Sequence, residues 1–200
     1  MKYINNTSHK KNNCKGLIPF NKENFPLIFT GLTQSDGSFV ISIIKTQSKL
    51  GLVLRPFYNI ELKDSSLNLL LEVQKYLGGC GRIYINKVKK TVSFEISDFY
   101  SIWHILIPHF IKYPLDSSKL ESFIKFTNCM ILLFPYFNKN KPKLLILDIL
   151  KYSYFINEGT GRTEKDFKDL LLTYFGEKNL KILPTFIKIS DYWLYLIKIS

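Results

Sequence analysis

Phe29-Thr30-Gly31-Leu32-Thr33-Gln34-Ser35-Asp36-Gly37-Ser38-Phe39 changes its hydrophobic period in the middle, and that change decides the fold. Up to Leu32 the apolar residues, with Leu27 and Ile28 before them, crowd at helical spacing, and Pro26 suits a first helical position. The spacing predicts a short, apolar, buried helix that Asp36-Gly37 ends, the glycine permitting a sharp exit that leaves the carboxylate exposed. Beyond it Phe39, Ile41 and Ile43 alternate with Ser38, Val40 and Ser42, the period of a strand. A loop holding Gly51 leads to a second strand, in which Tyr58, Ile60 and Leu62 alternate with Phe57, Asn59 and Glu61.

Working outward, Asp64 or Ser65 caps a helix bearing Leu67, Leu70, Leu71, Gln74 and Leu77, and Gly78-Gly79 stops it. Two strands follow, residues 82–86 and 91–97, the second with Val92, Phe94 and Ile96 inward. Asp98 caps a helix carrying Ile102, Trp103, Leu106, Ile107 and Phe110. The order over residues 26–112 is αββαββα, an α+β module with a four-stranded antiparallel sheet and helices on one face. A capping box, Ser118-Lys119-Leu120-Glu121, opens the first of the C-terminal helices, with further helical stretches near residues 143–156 and 163–174.

At 200 residues and 46% apolar content the chain can bury a core, and no apolar run reaches the roughly 18 residues that span a bilayer, so no membrane partner is expected. Lys+Arg number 28 against 16 Asp+Glu, and the resulting +12 points to a polyanionic partner. Only Arg55, Arg82 and Arg162 are arginine, alanine is absent, and Phe, Tyr, Ile, Asn and Lys abound, as an A+T-biased organellar genome would encode. Cys14, Cys80 and Cys129 are far apart with no C-x-x-C, which argues against both a disulfide framework and a zinc site. Residues 1–24, with Lys2, Lys10, Lys11, Lys15 and Lys22, read as a flexible basic arm without a targeting pattern.

Alternation puts Ser42, Arg55, Asn59, Glu61, Arg82, Tyr84, Asn86, Ser93 and Glu95 on the sheet face away from the helices. Such donors and acceptors on a β-ribbon suit base edges in the DNA major groove. Metal-assisted phosphodiester hydrolysis needs a carboxylate beside the scissile phosphate, because a hard divalent cation takes oxygen ligands. Asp36, at a helix tip, is the candidate. His104 and His109 have no partner at metal-ligand spacing and read as core or edge histidines.

The stretch from Phe29 to Phe39 resembles the signature of LAGLIDADG homing endonucleases, with Gly31, Leu32, Asp36, Gly37, Ser38 and Phe39 matching. Tyr58-Asn59-Ile60-Glu61-Leu62, Leu77-Gly78-Gly79-Cys80-Gly81, His109-Phe110-Ile111-Lys112-Tyr113-Pro114-Leu115 followed by Lys119, and Asn157-Glu158-Gly159 resemble segments found in that order in organellar members. The resemblance implies an endonuclease domain over residues 25–176, whose sheet forms half of a DNA-binding saddle. It implies Mg²⁺ bound by Asp36 at the scissile phosphate, Lys119 as a basic catalytic residue, and a motif-helix interface containing Gly31, Leu32 and Gly37. It further implies a site-specific, intron-encoded enzyme cutting both strands of DNA in a mitochondrion. Gln34 stands where the family motif has its first acid. One complete motif is present, and residues 177–200 resemble a truncated lead-in to a second. The chain is therefore expected to act as a homodimer or as half of a two-motif enzyme. The alternatives are a non-catalytic maturase whose partner is intron RNA, and an inactive degenerate fragment.

Overall fold

The computed structural model describes residues 2–3, 23–47, 51–136, 143–153, 156 and 163–176. Most of the basic arm, Cys14, Asn157-Glu158-Gly159 and the segment 177–200 lie outside the described residues. The elements run β1 (Lys2–Tyr3), α1 (Phe25–Asp36), β2 (Gly37–Lys45), β3 (Leu52–Lys63), α2 (Leu67–Tyr76), β4 (Arg82–Asn86) and β5 (Thr91–Ile96). Then come α3 (Phe99–Ser101), a π-helical segment (Ile102–Leu106), α4 (Ile107–Lys112), α5 (Ser117–Leu133), α6 (Lys143–Ser153) and α7 (Glu164–Phe175). The sheet order is β1-β4-β5-β3-β2, so the four expected strands are joined by a fifth, two-residue edge strand.

The chain divides into two compact units, Met1–Val40 with Arg55–Leu120, and Ile41–Leu54 with Glu121–Ser200. In the first, the antiparallel register pairs Tyr58 with Ile96, Ile60 with Phe94 and Leu62 with Val92, while Ile83 faces Phe94 on the other side. All but Leu62 of these are buried, which fixes the register, since a one-residue slip would expose the whole row. Helix α1 buries Phe25, Pro26, Phe29 and Thr33. Phe29 meets Phe110 at 5.4 Å between ring centroids and Tyr58 at 6.1 Å, and Phe39 meets both Tyr58 and Phe110. Tyr58 has its hydroxyl 2.6 Å from Thr33 Oγ1, which itself donates to the Phe29 carbonyl, so the tyrosine is the donor of the pair.

Several local expectations need correction. The first helix is buried along one side only, since Leu27 is 61% and Ile28 36% exposed. The helix capped by Asp98, whose carboxylate accepts from Ser101 N–H at 2.8 Å, is not uniformly α. Ile107 N–H bonds to the Ile102 carbonyl, a π-turn directly ahead of Pro108, and this wider turn takes up the clash a proline makes with the carbonyl four residues back. Helix α5 starts at Ser117, and Leu120 N–H bonds to the Asp116 carbonyl, so Asp116 rather than Ser118 occupies the entry position. Gly78 and Gly79, as expected of a helix stop, take positive φ of 73° and 81°.

His109 is a core histidine under α1 and His104 an exposed one. Thr30 donates to the Tyr113 carbonyl at 3.3 Å, so it accepts from His109 Nε2–H at 3.1 Å, which leaves Nδ1 to accept from Tyr76 OH at 3.0 Å. Burial pushes the imidazole down to about 4. In the unfolded chain the ring titrates near 6.5, so the stability due to its neutral burial is complete above about pH 6.5 and falls as pH drops towards 4. Denaturation at pH 7, 5.5 and 4.5 is expected to show this decline flattened in His109→Gln; equal slopes for the two proteins would refute the assignment.

The second unit is mainly helical. Phe123, Phe126, Met130, Leu133, Ile146, Ile149, Leu150 and Leu171 are buried there, with Leu52 and Leu54 of β3. Ser122 Oγ donates to the Ile156 carbonyl at 2.7 Å, and Thr163 caps α7 in a reciprocal box with Asp166.

Candidate active site and nucleic-acid face

Asp36 is the last residue of α1 and is exposed, with Ser35 Oγ donating to its Oδ2 at 2.6 Å. The chain leaves the helix through Gly37 with φ −74° and ψ 147°, an ordinary extended conformation. The glycine is required for a different reason than the expected sharp exit. A Cβ there would lie 2.6 Å from Thr33 Cγ2 and 2.8 Å from both the Thr33 Cα and carbonyl oxygen. Gly37 is thus buried against its own helix, not displayed on an outer interface. Gly37→Ala is expected to cost about 1–3 kcal/mol by overpacking, read from urea unfolding; wild-type stability would show that the turn relaxes freely.

Lys119, in the first turn of α5, reaches the same tip and donates from Nζ to the Gly37 carbonyl. Partial burial lowers its pKa, and the neighbouring Asp36 carboxylate opposes that shift. Gln34 also ties the tip down, with Nε2 donating to the Asp116 carbonyl and Oε1 accepting from Asp116 N–H, each at 3.1 Å. The two candidate catalytic groups, 83 positions apart in the chain (119 − 36), are thereby brought to one place.

No cluster of three or more His, Cys, Asp or Glu side chains able to hold a metal occurs among the described residues. Among the described residues, none covers the outer side of α1. Gly31 is exposed and an added Cβ would meet nothing within 4 Å, Leu27 and Ile28 flank it, and Leu32 is half-buried. From sequence Leu27 and Ile28 read as buried; the signal that could have marked them is the excess of Leu27, Ile28, Phe29 and Leu32 over what one core-facing stripe uses.

On the open face of the sheet the register sets the expected residues in rows. Glu95 lies between Asn59 and Arg82, and Ser93 between Glu61 and Tyr84, while Asn86 pairs with Thr91. Arg82 and Glu61 are exposed and Asn59, Tyr84, Asn86, Ser93 and Glu95 half-buried, in alternation with the buried row. Arg55 is exposed on β3, and Ser42 is half-buried on β2. Tyr3 pairs with Tyr84 in the register of the edge strand.

The profile of a family described as LAGLIDADG endonuclease matches residues 29–130. Among curated proteins, the chain is 33% identical over 144 residues to "Probable intron-encoded endonuclease 2" of Neurospora crassa, covering 70% of this chain and 31% of that protein. It is 29% identical over 151 residues to "Probable intron-encoded DNA endonuclease 1" of Mycosarcoma maydis, covering 74% of this chain and 53% of that protein. The chain thus spans at most about half the length of these two relatives. Among solved structures, the I-LtrWI LAGLIDADG homing endonuclease bound to target DNA superposes with a TM-score of 0.69 at 24% identity, over 86% of this chain and 54% of that one. The homing endonuclease I-TnaI superposes with a TM-score of 0.64 at 21% identity, over 74% of this chain and 97% of that one. The helix tip, strands β2 to β5 and the entry of α5 all fall inside the matched residues, which make up just over half of the chain, and the protein belongs to the LAGLIDADG endonuclease family.

Proposed function

We propose that this chain forms one half of a site-specific, Mg²⁺-dependent DNA endonuclease, with residues 25–176 as the catalytic domain. The observation that carries this reading is an exposed carboxylate, Asp36, at the tip of a helix whose outer side, Leu27, Ile28 and Gly31, is uncovered. Burying that apolar side against a second motif helix would bring two such carboxylates together. Two like charges in one site repel unless cations and a phosphate lie between them, which is the environment of metal-assisted strand cleavage. Gly31, lacking a side chain, lets the helix backbones approach. The second half is a second copy of this chain or a second motif, and solved relatives of both sizes support either arrangement, since this chain covers 97% of one and 54% of another.

Asp36 would supply the cation's protein oxygen. Bound there, Mg²⁺ would stabilise charge on the attacking and leaving oxygens. Lys119 holds the Gly37 carbonyl and keeps a positive charge beside the developing phosphate charge. The rows Asn59-Glu95-Arg82 and Glu61-Ser93-Tyr84 offer base-edge donors and acceptors, and the +12 charge favours a DNA backbone. The relatives' names as intron-encoded endonucleases, and the target DNA on one solved neighbour, support a DNA substrate at an intron insertion point, and the A+T-biased composition suits an organellar, mitochondrial setting.

The test is purified protein with Mg²⁺ on DNA spanning the insertion point of its own gene. Both strands are expected to be cut there, with EDTA stopping the reaction and, where the second half is a second copy of this chain, the protein sedimenting as a pair of chains. Absence of both cutting and selective binding would overturn the reading.

A further inference from the structure

Gln34 and Asp116 are joined by two hydrogen bonds of 3.1 Å, and Asp116 is the gateway to α5. Its carbonyl also receives Leu120 N–H at 3.1 Å, and its own carboxylate receives Ser117 N–H at 2.7 Å. Ser117 sits at φ +48°, a conformation that L residues adopt only when the surroundings hold them there. Lys119 follows two residues later and donates to the Gly37 carbonyl. These contacts close a ring that runs from Gln34 through Asp116 and Lys119 to Gly37 and back along the chain past Asp36.

We propose that Gln34 is a positioning residue, whose amide clamps both backbone groups of Asp116 and thereby holds the Lys119 ammonium at the carboxylate end of the motif helix. A primary amide is suited to this because it donates and accepts on one edge. A carboxylate, which the family motif has here, would serve the Asp116 N–H but set a second acceptor against the Asp116 carbonyl. Gln34 is therefore a working part of this chain's site. Its catalytic consequence rests on the endonuclease reading, whereas the clamp itself is a property of the free protein.

The experiment compares Gln34→Ala and Gln34→Glu with wild type by two readouts. The first is the lysine ammonium ¹H–¹⁵N spectrum without DNA, with Lys119 assigned by its loss in Lys119→Arg. The second is single-turnover cleavage, beside DNA affinity measured in EDTA. In Gln34→Ala the Lys119 signal is expected to move to the position of solvated lysines. Cleavage is expected to slow by about ten- to a hundredfold, the scale of a small misplacement in an active site, with affinity within about twofold of wild type. In Gln34→Glu, which sets an acceptor against the Asp116 carbonyl, the Lys119 signal is expected to move and cleavage to slow in the same way. An unchanged Lys119 signal or an unchanged rate overturns the proposal. Should Gln34→Ala not fold, Gln34→Glu decides by the same two readouts. Should the wild type neither cut DNA nor bind it selectively, the endonuclease reading falls and the Lys119 signal still decides the clamp.

Discussion

Asp36→Asn is expected to abolish DNA cleavage, by about a thousandfold or more, while DNA binding persists. The size follows from the loss of a charged oxygen ligand: several kcal/mol of transition-state stabilisation, at about 1.4 kcal/mol per tenfold in rate, is about three decades. Asparagine keeps the shape and one oxygen but not the charge that a hard cation requires. Affinity should hold or rise slightly, since a negative charge is removed from a surface that meets phosphate. Stability should change by less than about 0.5 kcal/mol, as for most exposed positions away from packed features. Two small terms oppose one another there. A carboxylate at the C-terminal end of α1 is disfavoured by the helix dipole, and the nearby Lys119 favours it. Nicking and linearisation of a plasmid carrying the target site, measured with folded protein of both kinds, checks the expectation. Undiminished cutting by the asparagine protein would remove Asp36 from the chemistry altogether.

The helix and strand order was legible because the hydrophobic period changes from helical to alternating at Asp36-Gly37, and positions such as Phe39, Tyr58, Ile60, Val92 and Phe94 have one way to be buried together. The open sheet face followed from the same alternation. The bare side of α1 was harder, since Leu27 and Ile28 look like core residues until the packing of Phe25, Phe29 and Thr33 fixes which side faces inward. Gly37 was read as a conformational device because Asp-Gly suggests a turn. Its real constraint, the approach of Thr33, depends on the extended exit from the helix, which no local pattern encodes. The partnership of Gln34 with Asp116 joins residues 82 positions apart and carries no spacing rule, so it emerges only from the folded chain. Likewise the π-turn before Pro108 reflects a conflict between one proline and a helix that the surrounding core, through Ile102, Leu106 and Phe110, keeps intact.

Phe29→Ala is expected to be the most damaging single change to stability, at about 3–5 kcal/mol, the range for truncating a buried Phe. Phe29 is fully buried, and its ring lies 4.7 Å from His109, 5.4 Å from Phe110 and 6.1 Å from both Tyr58 and Tyr76, centroid to centroid. It is thus the side chain through which α1 is anchored to β3, α2 and α4 at once. A domain of this size has about 5–15 kcal/mol in total, so the variant should unfold at markedly lower urea. Phe29→Leu, which refills part of the space, should recover part of the loss. The cavity also adjoins His109, so water entering it should raise that imidazole towards its ordinary range, and an NMR titration of the ring would follow the change. A loss below about 1 kcal/mol would mean that the surrounding rings collapse into the gap. In that case α1 is held chiefly by its ends, by Phe25 and Thr33, and the placement of Asp36 owes less to the core beneath the helix than to the ties around its tip.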